Sequence, residues 1–148
     1  MPALASPGSS ELMIDAARIL TMATGEILVI DDNRQCVDAV VEVLTGEGYR
    51  VRTASNAKDA LELLSHSTPG LVILDIHLPG ASGLRLLSDF RRHNLATPVL
   101  MMSSEDRASL HEEAMAKGAN GFLRKPFPAE VLLNAVRRFA DRTLSCLI

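Results

Sequence analysis

With 148 residues and a hydrophobic fraction of 47%, the chain is long enough for one domain with a proper core and too apolar for wholesale disorder. A net charge of −3 and a pI near 5.8 give no broad basic field, so nucleic acid is not expected as a direct partner. No Trp, one Tyr and four Phe leave no base-stacking platform and little with which to line a carbohydrate cleft.

Residues 1–10, MPALASPGSS, lack the basic and apolar regions of a secretory signal and read as an unstructured tail. Met13, Ala16, Ala17 and Leu20 then recur at i, i+3, i+4 and i+7, and Gly25 offers a stop. That spacing predicts a short amphipathic helix over 11–23. β-Type runs follow at Ile27–Asp31, Arg50–Ala54, Leu71–Asp75, Val99–Ser103 and Gly121–Arg124. The first, third and fourth are nearly continuous apolar runs, as expected where helices cover both faces of a sheet.

Amphipathic helical stretches separate these runs. The first has Val37, Val40, Val41 and Leu44 on one face; the second has Ala57, Ala60, Leu61 and Leu64; the third has Leu84, Leu87 and Phe90. The fourth, over 106–116, is weakly apolar with Leu110 and Ala114 as anchors. The fifth carries Leu132, Ala135, Val136 and Phe139. Asn56, Ser82 and Asp106 are placed to cap the second, third and fourth helices, and Pro128 suits the first turn of the fifth. Gly46 or Gly48 closes the first helix and Gly118 the fourth. The pairs Arg91-Arg92 and Arg137-Arg138, and also His66, His93 and His111, read as solvated helix faces.

Five βα units with short connections predict an α/β fold. The expected form is a flavodoxin-like, doubly wound (βα)5 sandwich with a parallel sheet of order 2-1-3-4-5 and an extra N-terminal helix. The main domain is expected over 26–142, after an extension at 1–25 and before a tail at 143–148. No apolar run approaches the roughly 18 residues of a membrane span. Cys36 and Cys146 lie far apart and form neither a disulfide framework nor a zinc spacing. A cytoplasmic chain without membrane contact is the expectation.

Open α/β sheets bind ligands beyond the carboxyl ends of the strands, where strand order reverses. For order 2-1-3-4-5 that point lies between the first and third strands, which end in Asp31-Asp32 and in Asp75. Strands about 4.8 Å apart bring these three carboxylates together. Two carboxylates about 4 Å apart repel by roughly 4 kcal/mol at an effective dielectric near 20. A proton or a hard divalent cation relieves that repulsion, and Mg²⁺ suits oxygen ligands completed by water and phosphate. The fourth run ends at Ser103, and the fifth in Arg124-Lys125-Pro126, where the Lys125 ammonium can face the acids. A metal and an ammonium around an anionic phosphoryl group are what phosphoryl transfer needs, with Asp75 as a carboxylate nucleophile. Alone, Asp31-Asp32 reads as a helix cap; beside Asp75, Ser103 and Lys125 it reads as a metal site.

The segments ILVIDDN, VILDIHLPG, PVLMMSS and GANGFLRKPF follow one another at this spacing, and together they resemble the response-regulator receiver family of the CheY-like superfamily over residues 26–142. The resemblance implies a two-component or phosphorelay phosphoacceptor that catalyses only its own phosphorylation and dephosphorylation. It implies Mg²⁺, with Mn²⁺ as an alternative, on Asp31, Asp32, Asp75 and the backbone carbonyl of His77. Asp75 is the implied phosphoacceptor, Ser103 and Lys125 its catalytic neighbours, and Ser103 with Phe122 the implied switch. A cis peptide before Pro126 is also implied. The implied partner is a histidine kinase or histidine phosphotransfer protein. A homodimer is expected through the face of the fourth helix, fifth strand and fifth helix, or through the N-terminal helix.

This chain departs from the family pattern at several points. Ser103 stands where Thr is commoner, Leu78 replaces Met, and His77 is less usual. Its side chain is expected to alter the rate at which the acyl phosphate is lost. A stand-alone receiver is the expected form, with a phosphate shuttle or sink and a piece of a longer protein as the alternatives. Two rival readings are a phosphorylation-independent pseudo-receiver scaffold and an aspartate-nucleophile phosphatase, which would want an acid at position 77.

Overall fold

The computed structural model describes the backbone of residues 26–93 and 95–147, and side chains as far as residue 139. The predicted N-terminal helix and the rest of the 1–25 extension lie outside the described residues. Five parallel strands, β1 (Glu26–Ile30), β2 (Arg50–Ala54), β3 (Leu71–Asp75), β4 (Val99–Ser103) and β5 (Gly121–Arg124), form one sheet in the order β2-β1-β3-β4-β5. Each strand lies within one residue of its predicted span. The helices α1 (Arg34–Gly46), α2 (Ala57–His66), α3 (Gly83–Arg92), α4 (Ala108–Ala116) and α5 (Ala129–Leu147) connect and follow them. This is the predicted flavodoxin-like (βα)5 sandwich.

Strand alternation sorts the core into two layers. Leu28, Ile30, Val72, Leu74, Val99 and Met101 pack with residues of α2, α3 and α4 on one face. Ile27, Val29, Leu71, Ile73, Leu100 and Met102 pack with Val40 and Leu44 of α1 and with Leu132, Val136 and Phe139 of α5 on the other. Every residue of β3 and β4 is buried. The outermost strand β2 is mostly exposed, and α2, which follows it, buries Ala60 while leaving Leu61 48% exposed. The periodicity had placed Leu61 in the core; at a sheet edge there is too little apolar surface opposite it.

Capping follows the local sequence with one exception. Asn33, Asn56 and Ser82 cap α1, α2 and α3, accepting from the N–H of Cys36, Asp59 and Leu84 at 3.1, 2.8 and 3.2 Å. Asp106 does not cap α4; its carboxylate pairs with Arg124 at 3.1 Å, and the helix starts without a side-chain cap. Nothing in 129–147 is Gly or Pro, and α5 runs through Leu147. Arg91 is not a solvated side chain either. Half-buried at the end of α3, it donates to the carbonyls of Gly118, Leu95 and Thr97 and to Asn120 Oδ1 at 2.7–3.1 Å, tying two loops together. The fork of five donors accounts for this choice of residue.

Between β3 and α3 the chain makes a small hairpin, His77–Leu78 against Ala81–Ser82, turning at Pro79-Gly80 with Gly80 at φ +67°. The hairpin delivers Gly83 against the end of β3: its N–H bonds the Ile76 carbonyl at 2.6 Å, and a Cβ there would stand 2.1 Å from the Asp75 carbonyl oxygen. Only glycine permits so close an approach of α3 to the strand end. Gly83→Ala is therefore expected to destabilise the fold by about 1–3 kcal/mol, read as a lower urea midpoint with an unchanged slope. A midpoint equal to wild type would show that α3 is free to retreat.

Candidate metal and phosphoacceptor site

The parallel ladder continues past the strand ends and carries the functional residues with it. Asp31 N–H bonds the Ala54 carbonyl at 3.1 Å, Ile76 N–H the Met102 carbonyl at 3.0 Å, and Lys125 N–H the Ser103 carbonyl at 2.8 Å. Asp31, Asp75, Ser103 and Lys125 thus sit at one end of four adjacent strands, held by backbone bonds rather than by side-chain packing. Asp31, Asp75 and Ser103 are 2%, 6% and 1% exposed, whereas Asp32 faces solvent. One oxygen from each of Asp31, Asp32 and Asp75 lies within 4.8 Å of the others. A cleft of about 390 Å³, lined in part by Asp31, Asp32, Asp38 and Ser55, opens beside them.

Lys125 lies across two of the acids. Its ammonium donates to Asp31 Oδ2 at 2.7 Å and to Asp75 Oδ2 at 2.6 Å. The second oxygens are also engaged: Asp31 Oδ1 accepts from the Asn33 N–H and Asp75 Oδ1 from the His77 N–H, each at 2.9 Å. Burial pushes the Asp31 carboxyl up, but Lys125 and the Asn33 N–H outweigh it and hold the group below the usual carboxylate range. At Asp75 burial wins over Lys125 and the His77 N–H, and the carboxyl lies above that range. Desolvation opposes the charge on Lys125, yet its two carboxylate partners raise its affinity for the proton above that of a free lysine.

Three carboxylates, two of them bonded to the one ammonium, leave net negative charge at the cluster. The donor set is all oxygen, one of its members faces water, and every buried polar side-chain atom among the described residues has a partner. That chemistry fits a small hard cation that keeps part of its water. Neither acid serves as the cap of α1, since Asn33 fills that role.

Ser103 Oγ accepts the Glu105 N–H at 3.0 Å, which leaves the hydroxyl proton available to another acceptor. The peptide between Lys125 and Pro126 is cis. Phe122 stands apart from the acids, half-buried on β5. Beside His77, which the sequence singles out, Glu105, Arg107 and Cys36 also lie near the site. His77 Nε2 meets Glu105 Oε1 at 2.5 Å, and Arg107 Nε donates to Glu105 Oε2 at 2.8 Å, bridging the loops that follow β3 and β4. Those two bonds, from Arg107 first and His77 second, hold the Glu105 carboxyl below its usual range. The Cys36 thiol sits close enough to feel both Asp31 and Lys125, and burial pushes it up to about 11. No local motif announces the His77–Glu105 contact or the approach of Lys125 to Cys36, because each joins residues distant in sequence.

The raised Asp75 carboxyl has a consequence for stability. A group whose folded pKa is raised costs stability while ionised, and the cost fades as pH falls through its folded value. Asp75→Asn, measured with chelator at pH 7, is therefore expected to be more stable than wild type, read as a higher thermal midpoint. The gap should close in acid, and Mg²⁺ should raise the midpoint of wild type more than that of the variant. A variant less stable than wild type at pH 7 would contradict this account of the cluster.

A family model described as the response regulator receiver domain matches residues 27–137. The C4-dicarboxylate transport transcriptional regulatory protein DctD of Pseudomonas aeruginosa is 34% identical over 116 residues, 78% of this chain and 25% of that protein. The response regulator MprA of Mycolicibacterium vanbaalenii is 32% identical over 117 residues, 79% of this chain and 51% of that protein. This chain thus spans about half or less of the length of these two curated relatives. Among solved structures, the receiver domain of NtrX from Brucella abortus is 36% identical with a TM-score of 0.74, covering 78% of this chain and 98% of that one. With this fold, and with Asp31, Asp32 and Asp75 gathered at its strand ends, the chain belongs to the response-regulator receiver family and carries that family's acidic phosphoacceptor site.

Proposed function

We propose that Asp75 is the residue that takes the phosphoryl group, and that the donor is a phosphohistidine on a histidine kinase or histidine phosphotransfer protein. An Asp75 carboxylate oxygen attacks phosphorus in line; the N–P bond breaks, an O–P bond forms, and the imidazole leaves with the electron pair. The observation that carries this reading is the Lys125 ammonium, 2.6 Å from Asp75 and 2.7 Å from Asp31. It stands ready to exchange a carboxylate partner for a phosphoryl oxygen. Asp31, Asp32 and Asp75 would hold Mg²⁺ or Mn²⁺, with the His77 carbonyl as a further ligand. When bound, the cation supplies positive charge against the phosphoryl oxygens.

Ser103 donates its free hydroxyl proton to another of those oxygens, drawing the end of β4 toward the site. Phe122 projects from the same sheet face as Ser103, since Met101 pairs with Phe122 and Ser103 with Arg124. Its ring turns into the space that Ser103 vacates, and the surface of α4, β5 and α5 changes for a partner or a second copy. Water then hydrolyses the acyl phosphate, releasing inorganic phosphate and restoring the Asp75 carboxylate.

Incubation of the full chain with acetyl phosphate and Mg²⁺ tests this reading. Intact mass is expected to rise by one phosphoryl group in wild type and not in Asp75→Asn. Equal labelling of the two would overturn the assignment, and no labelling of either would favour a scaffold.

The His77–Glu105 bridge gives the sign of a second effect. It spans the two loops that flank Asp75 and Ser103, so it narrows the approach of water. His77→Ala is expected to shorten the acyl-phosphate lifetime about two- to fivefold, the size of one side-chain hydrogen bond. An unchanged or longer lifetime, followed by loss of mass label, would contradict it.

A further inference from the structure

Phe122 is held by a neighbour that the phosphoryl chemistry does not use. His111, on the exposed side of α4, lies face to face with Phe122, with ring centroids 4.9 Å apart and planes 19° from parallel. α4 has little else to hold it. It buries Leu110 and Ala114, and its start has no side-chain cap. The stacked pair adds to the buried Leu110 and Ala114 in joining this helix to the sheet. A second tie, between Arg124 and Asp106, is an exposed ion pair at 3.1 Å and contributes little by itself.

The two rings can face each other only while Phe122 points along α4. A ring turned inward toward Ser103 leaves the plane of the imidazole. The stack therefore favours the position Phe122 has before phosphorylation, and its loss would accompany the turn.

We propose that His111 is a positioning residue, a latch whose stack on Phe122 holds the ring against α4 and biases the chain toward its unphosphorylated state. The proposal rests on reading Phe122 as the moving aromatic. Aromatic pairs of this geometry shift an equilibrium by about two- to tenfold. Removing the stack should make any ligand that prefers the turned-in state bind more tightly by that factor.

Beryllium fluoride with excess Mg²⁺, a stand-in for the phosphoryl group on Asp75, supplies such a ligand. Its affinity for the full chain is to be titrated in wild type, His111→Ala, His111→Phe, Phe122→Leu and the Phe122→Leu/His111→Ala double variant. His111→Ala is expected to bind about two- to tenfold more tightly. His111→Phe, which keeps a stacking ring, should match wild type, and adding His111→Ala to Phe122→Leu should change nothing. A general loss of structure would not tighten binding, and a thermal midpoint for each variant checks folding. Unchanged or weaker binding by His111→Ala overturns the latch, as does equal tightening in the Phe122→Leu background. If hydrogen exchange across α4 is the same in wild type with and without beryllium fluoride, the moving-aromatic reading falls and the latch with it. Acyl-phosphate formation on Asp75 is measured separately and would still stand.

Discussion

Continuation of a parallel ladder beyond its own strands is the constraint on which this molecule's chemistry depends. Three backbone bonds, from Asp31, Ile76 and Lys125, extend the pairing by a residue at adjacent strand ends. Like charges are thereby pressed together in a place they would not choose. The rest of the sandwich supplies the force. Strands β3 and β4 are buried throughout, with apolar layers on both faces, and moving a strand end would expose that core. Lys125 offsets part of the repulsion by bonding both Asp31 and Asp75, and the three acids still leave an all-oxygen, net negative cluster of the kind that suits a hard cation.

Rigidity at the strand ends contrasts with light construction around them. The loop from Ser103 to α4 is held by polar contacts: Ser103 to the Glu105 N–H, Glu105 to His77 and Arg107, and Asp106 to Arg124. The side-chain pairs among them are largely exposed, so each contributes little to holding the loop. The opposite end of the molecule is built differently. There Arg91 satisfies carbonyls of two loops at once, and Gly118, at φ +107°, packs its backbone directly against that side chain. A firm base and a lightly tied rim thus set the weaker contacts of the molecule around the acids and leave the core apart from them.

Much of the fold was legible because its signals are local or periodic. Each strand lies within one residue of its predicted span, and Asn56, Ser82 and Gly118 act where short-range chemistry puts them. The departures share a cause. Leu61 has the spacing of a core residue but stands where the sheet ends, Arg91 looks like a surface charge but meets carbonyls from two loops, and Asp106 is drawn from its cap position by Arg124. In each case a partner from another element decided the outcome, and periodicity carries no information about that partner.

The sequence by itself determined the class of fold, the strand order and the identity of the acids that meet, because hydrophobic pattern and connection length leave few topologies and each topology has one switch point. Only the tertiary structure decided which oxygen bonds Lys125, that Asn33 rather than either acid caps α1, that His77 reaches Glu105, and that His111 lies on Phe122. Those are contacts between residues of different elements or residues competing for one group, and their geometry exists only once the strands and helices have packed.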